Sequence, residues 1–135
     1  PIYAIIENEN GGIFQSNDGG KTWKKQNDDR SLRQRAWYYS RIYTDTHDDN
    51  TLYVLNVSYH KSVDGGKTCK EFNAPHGDHH DLWVAPENPD RMIIGDDGGA
   101  QITVDGGETW STYHNQPTAQ FYRVVTDHHF PYRIY

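Results

Sequence analysis

Apolar and polar residues alternate along this chain with a period of about two, in runs no longer than a strand. Residues 2–6, Ile-Tyr-Ala-Ile-Ile, predict a buried strand, 12–15 the next, and 22–26 an outer one. The same rhythm predicts strands at 37–43, 51–57, 59–63 and 68–72, which make one four-stranded unit. A second unit follows at 81–85, 91–94, 101–104 and 109–113, and the strands 121–125 and 132–135 open another. Four hairpins, 2–14, 37–57, 82–94 and 121–135, start or lie within successive units. No helix of ordinary length is predicted. Polar connectors occupy 27–36, with Arg30, Arg33 and Arg35, then 73–78 and 114–120. Alternation in 37–43 places Trp37, Tyr39, Arg41 and Tyr43 on one face, and Tyr38, Ser40 and Ile42 on the other.

One octet recurs: Ser16-Asn-Asp18-Gly19-Gly20-Lys-Thr22-Trp23, then Ser62-Val-Asp64-Gly65-Gly66-Lys-Thr68-Cys69, then Thr103-Val-Asp105-Gly106-Gly107-Glu-Thr109-Trp110. Its aspartates return after 46 and 41 residues, close to the length of a four-stranded propeller blade. Asp-Gly-Gly predicts a tight hairpin, because glycine reaches positive φ without a Cβ clash and the carboxylate can accept backbone N–H groups. The flanking hydroxyls can serve the same carboxylate, and the closing Trp offers apolar surface to a neighbouring sheet. These aspartates are therefore read as structural, not as a repeated acidic site.

The octet resembles the Asp-box, or BNR repeat, of sialidases, xyloglucan-degrading enzymes and sortilin-type receptors. The runs His76-Gly-Asp78-His79-His80-Asp81-Leu-Trp83 and Asp96-Asp97-Gly98-Gly99-Ala100, with residues 115–122, extend the likeness to bacterial BNR-repeat glycosyl hydrolases and sortilin-like propellers. The resemblance implies an all-β fold: a single partial β-propeller over residues 1–135, with blade segments at about 1–27, 37–73, 79–114 and 121–135. About three blades cannot close a ring of four to eight, so further parts of the same propeller are expected, from additional sequence or from self-association. It also implies an extracytoplasmic or secreted setting, and a polysaccharide or glycan ligand. The alternative it implies is a non-catalytic propeller that binds a protein or peptide.

Composition narrows the classes. Hydrophobic residues make up 34% of the chain, and the mean hydropathy is −0.97. The apolar content is concentrated in aromatic and β-branched residues, which suits small twisted sheets and not disorder. A net charge of −6 argues against a general nucleic-acid binder, which works by neutralising phosphates. No apolar run reaches membrane-spanning length, and no signal peptide is visible in these residues. The lone Cys69 replaces the Trp of the other two boxes and cannot form an internal disulfide.

In a four-stranded meander the Asp-box turns share one edge with the 45–50 and 86–90 turns. The opposite rim collects 7–11, 96–99 and the three connectors, and chemistry is expected there. Candidate ligand-binding residues are Trp37, Tyr39, Arg35, His76, His79 and His80, since sugar rings stack on aromatic faces. His76, Asp78 and His79 are candidate divalent-metal ligands, with Asp96 or Asp97 available to complete the shell, although no diagnostic metal motif supports them and the cofactor expectation is none. Asp78, Asp81, Asp96 and Asp97 are the candidate catalytic carboxyls for hydrolysis by a carboxylate pair, with Glu7 and Glu9 on the same rim. A sialidase-like grip by Arg33, Arg35 and Arg41 is disfavoured, because one connector and one strand cannot spread three arginines over several blades.

Overall fold

A computed structural model describes residues 1–114, 116–117, 119, 121 and 123–135. Three antiparallel sheets follow one another along the chain. The first holds β1 (Ile2–Ile6), β2 (Gly12–Ser16) and β3 (Lys24–Asn27). The second holds β4 (Arg41–Thr44), β5 (Leu52–Leu55), β6 (Tyr59–Ser62) and β7 (Lys70–Phe72). The third holds β8 (His79–Val84), β9 (Met92–Asp96) and β10 (Gly99–Thr103). Every sheet pairs its strands in chain order, as a meander does.

The octets set where strands stop and resume. Asp18 accepts from the Thr22 N–H at 2.9 Å, the Thr22 hydroxyl at 2.6 Å and the Ser16 hydroxyl at 2.8 Å. Ser16 Oγ in turn accepts from the Gly20 N–H at 2.9 Å. Asp64 and Asp105 repeat this network, and all six box glycines have positive φ. Because each Thr is held in the turn, the outer strands begin at Lys24 and Lys70, two residues later than the alternation predicts.

Sheets pack face to face through two cores. Tyr3, Ile5 and Ile13 of the first sheet meet Ile42, Leu52, Val54 and Cys69 of the second, with Leu32 from the connector sealing the layer. On its other face the second sheet presents Tyr43, Tyr53, Leu55, Tyr59 and Phe72 to Leu82, Val84, Met92 and Ile94 of the third, joined by Trp110. Burying side chains of this size contributes about 1.5–3 kcal/mol each. The transverse ladder Tyr43–Tyr53–Lys61 in the second sheet has its counterpart in Trp83–Ile93–Ile102 of the third. The first ladder is covered by the third sheet. The second is bare, with Trp83 53% exposed and an open groove of about 280 Å³ beside it.

Three sequence expectations are corrected. Residues 37–40 are not strand: a 3-10 helix, Arg30–Arg33, is followed by turns in which the Tyr38 and Tyr39 N–H groups both donate to the Arg35 carbonyl at 2.8 Å. Asp29 caps the helix by accepting from the Ser31 N–H at 2.8 Å, and burial of Leu32 fixes its direction. Those local bonds override the strand preference of Trp37, Tyr38 and Tyr39, so the predicted alternation holds only from Arg41 onward. Residues 109–113 do not form a fourth strand: the Ser111 N–H pairs with the Ile102 carbonyl at 2.9 Å, but the Ile102 N–H goes to Ser111 Oγ at 3.0 Å, which ends the ladder. Among the described residues at the C-terminal end, one bridge, Thr126 with Ile134, stands in place of the two predicted strands. Asn115, Thr118, Gln120 and Tyr122, within the 115–122 stretch, lie outside the described residues.

Candidate functional site

The connectors and the β9–β10 turn meet on the side away from the boxes. Arg33 is buried and donates to Glu7 Oε2 at 3.2 Å, the Asn8 carbonyl at 2.9 Å and the Asp28 carbonyl at 3.3 Å. It ties the first connector to the β1–β2 turn and is not presented to a ligand. Asp78 sits at φ +58°, a left-handed conformation that Asp tolerates. There its Oδ1 accepts from the Tyr39 hydroxyl at 2.6 Å and pairs with the Arg35 guanidinium at 3.1 Å. Two connectors are thereby bracketed together. Burial first, and then the Asp78 carboxylate, pushes the Tyr39 phenol well above its ordinary value.

A β-bulge explains how adjacent histidines point apart. His79 pairs with Asp96 and Asp81 with Gly95, which leaves His80 as the extra residue. His79 turns inward. His80 turns to the rim, where its Nε2 lies 2.9 Å from Asp97 Oδ1 and its ring stacks, tilted, at 4.4 Å from Tyr39. Tyr38 meets the same His80 ring edge-on at 5.8 Å, and Trp37 lies 6.0 Å from Tyr38. Trp37 is 82% and Tyr38 59% exposed, whereas Tyr39 is 8% exposed and serves as the support behind them. Turn formation therefore exchanges the roles that strand alternation assigned: Tyr38, not Tyr39, joins Trp37 at the surface.

Beneath this platform lies Asp96, with its side chain fully buried. Its Oδ1 accepts from the Gly98 N–H at 2.8 Å and lies 3.4 Å from Gln101 Nε2. His79, 3% exposed, places Nδ1 3.7 Å from Asp96 Oδ2, too far for a hydrogen bond, and His76 Nδ1 lies 4.0 Å from Oδ1. Burial lowers the pKa of His79, which keeps it neutral at neutral pH. His76 contacts the Gly77 carbonyl at 2.9 Å and meets Tyr113 edge-on at 5.5 Å.

Of the candidate carboxyls, Asp78 is committed to internal partners and Asp96 is buried with only its Oδ1 bonded, while Asp81 and Asp97 reach solvent. Asp81 accepts from the Tyr43 hydroxyl and from the Leu82 N–H. Burial, and then that carboxylate, pushes the Tyr43 phenol up to about 12. The metal set His76, Asp78 and His79 does not converge, since Asp78 faces Arg35 and Tyr39. Among the described residues no three His, Cys, Asp or Glu side chains are placed to hold a metal ion. Sequence reasoning missed Tyr38 and Gln101 at this site; Asp29 two residues ahead of Ser31 was the available sign that the aromatic run follows a helical turn.

No helix among the described residues is long and apolar enough to cross a membrane. No curated protein matches the chain. Among solved structures, an ancestral GH74 enzyme superposes with a TM-score of 0.62 at 14% identity, over 81% of this chain and 16% of that one. The chain thus spans under a fifth of that enzyme's length, and the likeness, one of fold, identifies the stacked sheets as part of a β-propeller. Residues 11–131 match the family model described as sortilin, neurotensin receptor 3, and on that match this chain belongs to the Sortilin-Vps10 family.

Proposed function

We propose that this propeller segment works outside the cytoplasm and binds a polysaccharide or glycan on its connector rim. The observation that carries this reading is the pair Trp37 and Tyr38, exposed side by side and braced from behind by Tyr39 and His80. An exposed aromatic pair offers flat apolar area to the C–H face of a sugar ring at little conformational cost. Arg35, His80 and Asp97 surround it with partly exposed polar groups that can bond ring hydroxyls. The role proposed is binding. Hydrolysis by two carboxyls would draw on Asp81 and Asp97, the two candidates that reach solvent.

The test is retention of the chain by soluble polysaccharides in affinity electrophoresis, with Trp37→Ala and Tyr38→Ala alongside the parent. We expect each variant to lose about three- to tenfold in affinity, since one aromatic contact is worth about 0.5–1.5 kcal/mol, with an unchanged melting temperature. Unaltered retention in Trp37→Ala would overturn the assignment. A second reading, a peptide-binding rim, draws on the family match to a neurotensin receptor. It gains if no polysaccharide retains the chain and a peptide library does so through the same aromatic pair.

A further inference from the structure

We propose that Asp96, His79 and His76, with Gln101 as a further oxygen donor, form a divalent-cation site just inside the rim. Three buried atoms here lack a hydrogen-bond partner: Asp96 Oδ2, His79 Nδ1 and Gln101 Oε1. The two oxygens can only accept, and Nδ1 of a neutral imidazole accepts when its proton sits on Nε2, so a cation between Asp96 Oδ2 and His79 Nδ1 would satisfy both. The spacing fits one. At 3.7 Å the carboxylate oxygen and the imidazole nitrogen are too far apart to bond each other. Two ligands on a shared tetrahedral ion at about 2.1 Å stand about 3.4 Å apart, so the pair lies within a few tenths of an ångström of coordinating distance.

Backbone design supports the same reading. His79 and Asp96 are direct cross-strand partners at the mouth of β8 and β9, so their separation is fixed by sheet geometry. A Cβ at Gly98 would fall 2.7 Å from His76 Cδ2, so glycine is what lets the His76 ring lie over the carboxylate. His76 is the solvent-side ligand, its side chain 38% exposed. Completing the shell requires it to exchange its contact with the adjacent Gly77 carbonyl for the ion, by a side-chain rotation. As the side chains stand, no three among the described residues are placed to hold an ion, so the site closes only with that rotation. Two imidazoles with a carboxylate suit a borderline ion such as Zn²⁺.

The inference does not depend on glycan binding and is tested without it. Co²⁺ added to the 135-residue chain is expected to give the intense visible absorption of a four- or five-coordinate site at one equivalent, and Zn²⁺ to displace it. His76→Gln, at a half-exposed position where folding is not at risk, is expected to weaken Co²⁺ binding by about tenfold or more. His129→Gln, which alters a surface histidine bonded to Asp127, is expected to leave it unchanged. A spectrum that stays that of the hexaaquo ion overturns the proposal. So does a His76→Gln protein, folded by circular dichroism, that keeps the parent affinity, or a His129→Gln protein that loses it.

Discussion

The Gly65 N–H donates to the Asn50 carbonyl at 2.9 Å, and the Gly106 N–H makes the same bond to the Asp90 carbonyl at 3.0 Å. In both sheets the Asp-box turn is thus stapled to the turn between the two innermost strands. The first sheet has three strands, and no corresponding bond holds Gly19 among the described residues. Amide hydrogen exchange followed by NMR should show Gly65 and Gly106 protected and Gly19 exchanging at near the rate of an open turn. Equal protection at all three would contradict the stapling.

Two alanine substitutions separate conformational strain from crowding. At Gly19, φ is +74° and a Cβ meets nothing within 4 Å, so Gly19→Ala should cost only the left-handed penalty of about 1–2 kcal/mol. At Gly66, φ is +82° and a Cβ would fall 2.9 Å from Ile13 Cγ2 and 3.1 Å from Leu52 Cδ1. Gly66→Ala should add an overpacking cost of about 1–3 kcal/mol on top of the same strain. Urea unfolding midpoints of the two variants decide the matter, and equal midpoints would count against the packing account.

Acid sensitivity should come from the boxes. Bonds from the Thr22 hydroxyl and N–H hold Asp18 at about 2, against an ordinary 3.8, and Thr109 does the same for Asp105. A carboxyl whose pKa is depressed by folding contributes stability that is fully present above the unfolded value and is lost as pH falls through the folded one. Melting temperature should therefore hold steady from pH 7 to about 4 and fall between about pH 4 and pH 2. Asp105→Asn should flatten that fall. A melting temperature indifferent to acid would remove the carboxylates from the stability account.

Cys69 should be unreactive in the native protein. Burial, and then the nearby Asp64 and Asp29, pushes its thiol up to about 11, so little thiolate exists at pH 8. Labelling by a chromogenic disulfide reagent should be slow in buffer and rapid in denaturant. Fast labelling of the folded chain would show that the core between the first and second sheets is open.

What could be read from the sequence was whatever depends on near neighbours. Asp-Gly-Gly fixes its own turn, and the apolar runs in residues 2–6 and 52–55 need only a neighbouring sheet to become buried strands. Trp37–Tyr39 was misread because its conformation is decided elsewhere, by the Asp29 cap and by Leu32 entering the core between two sheets. The pairing of Arg35 and Tyr39 on Asp78 joins residues about forty positions apart, and it needs a left-handed backbone at Asp78 that composition does not announce. The apposition of His79 and Asp96 follows from strand register, and the divergence of His79 and His80 from a single bulge. A one-residue slip reverses such facing.

The ladder Trp83–Ile93–Ile102 repeats Tyr43–Tyr53–Lys61 by register while the residues behind it differ, so the stack of sheets has a front and a back that are unlike. Growth at the front is consequently directional: whatever seats on Trp83 must present the chemistry of a rear face, as Val84 and Met92 do toward Tyr53. Mirror-fashion pairing of two fronts would set Trp83 against Trp83 and forgo that complementarity, so a sheet seated there would be oriented as the third is on the second.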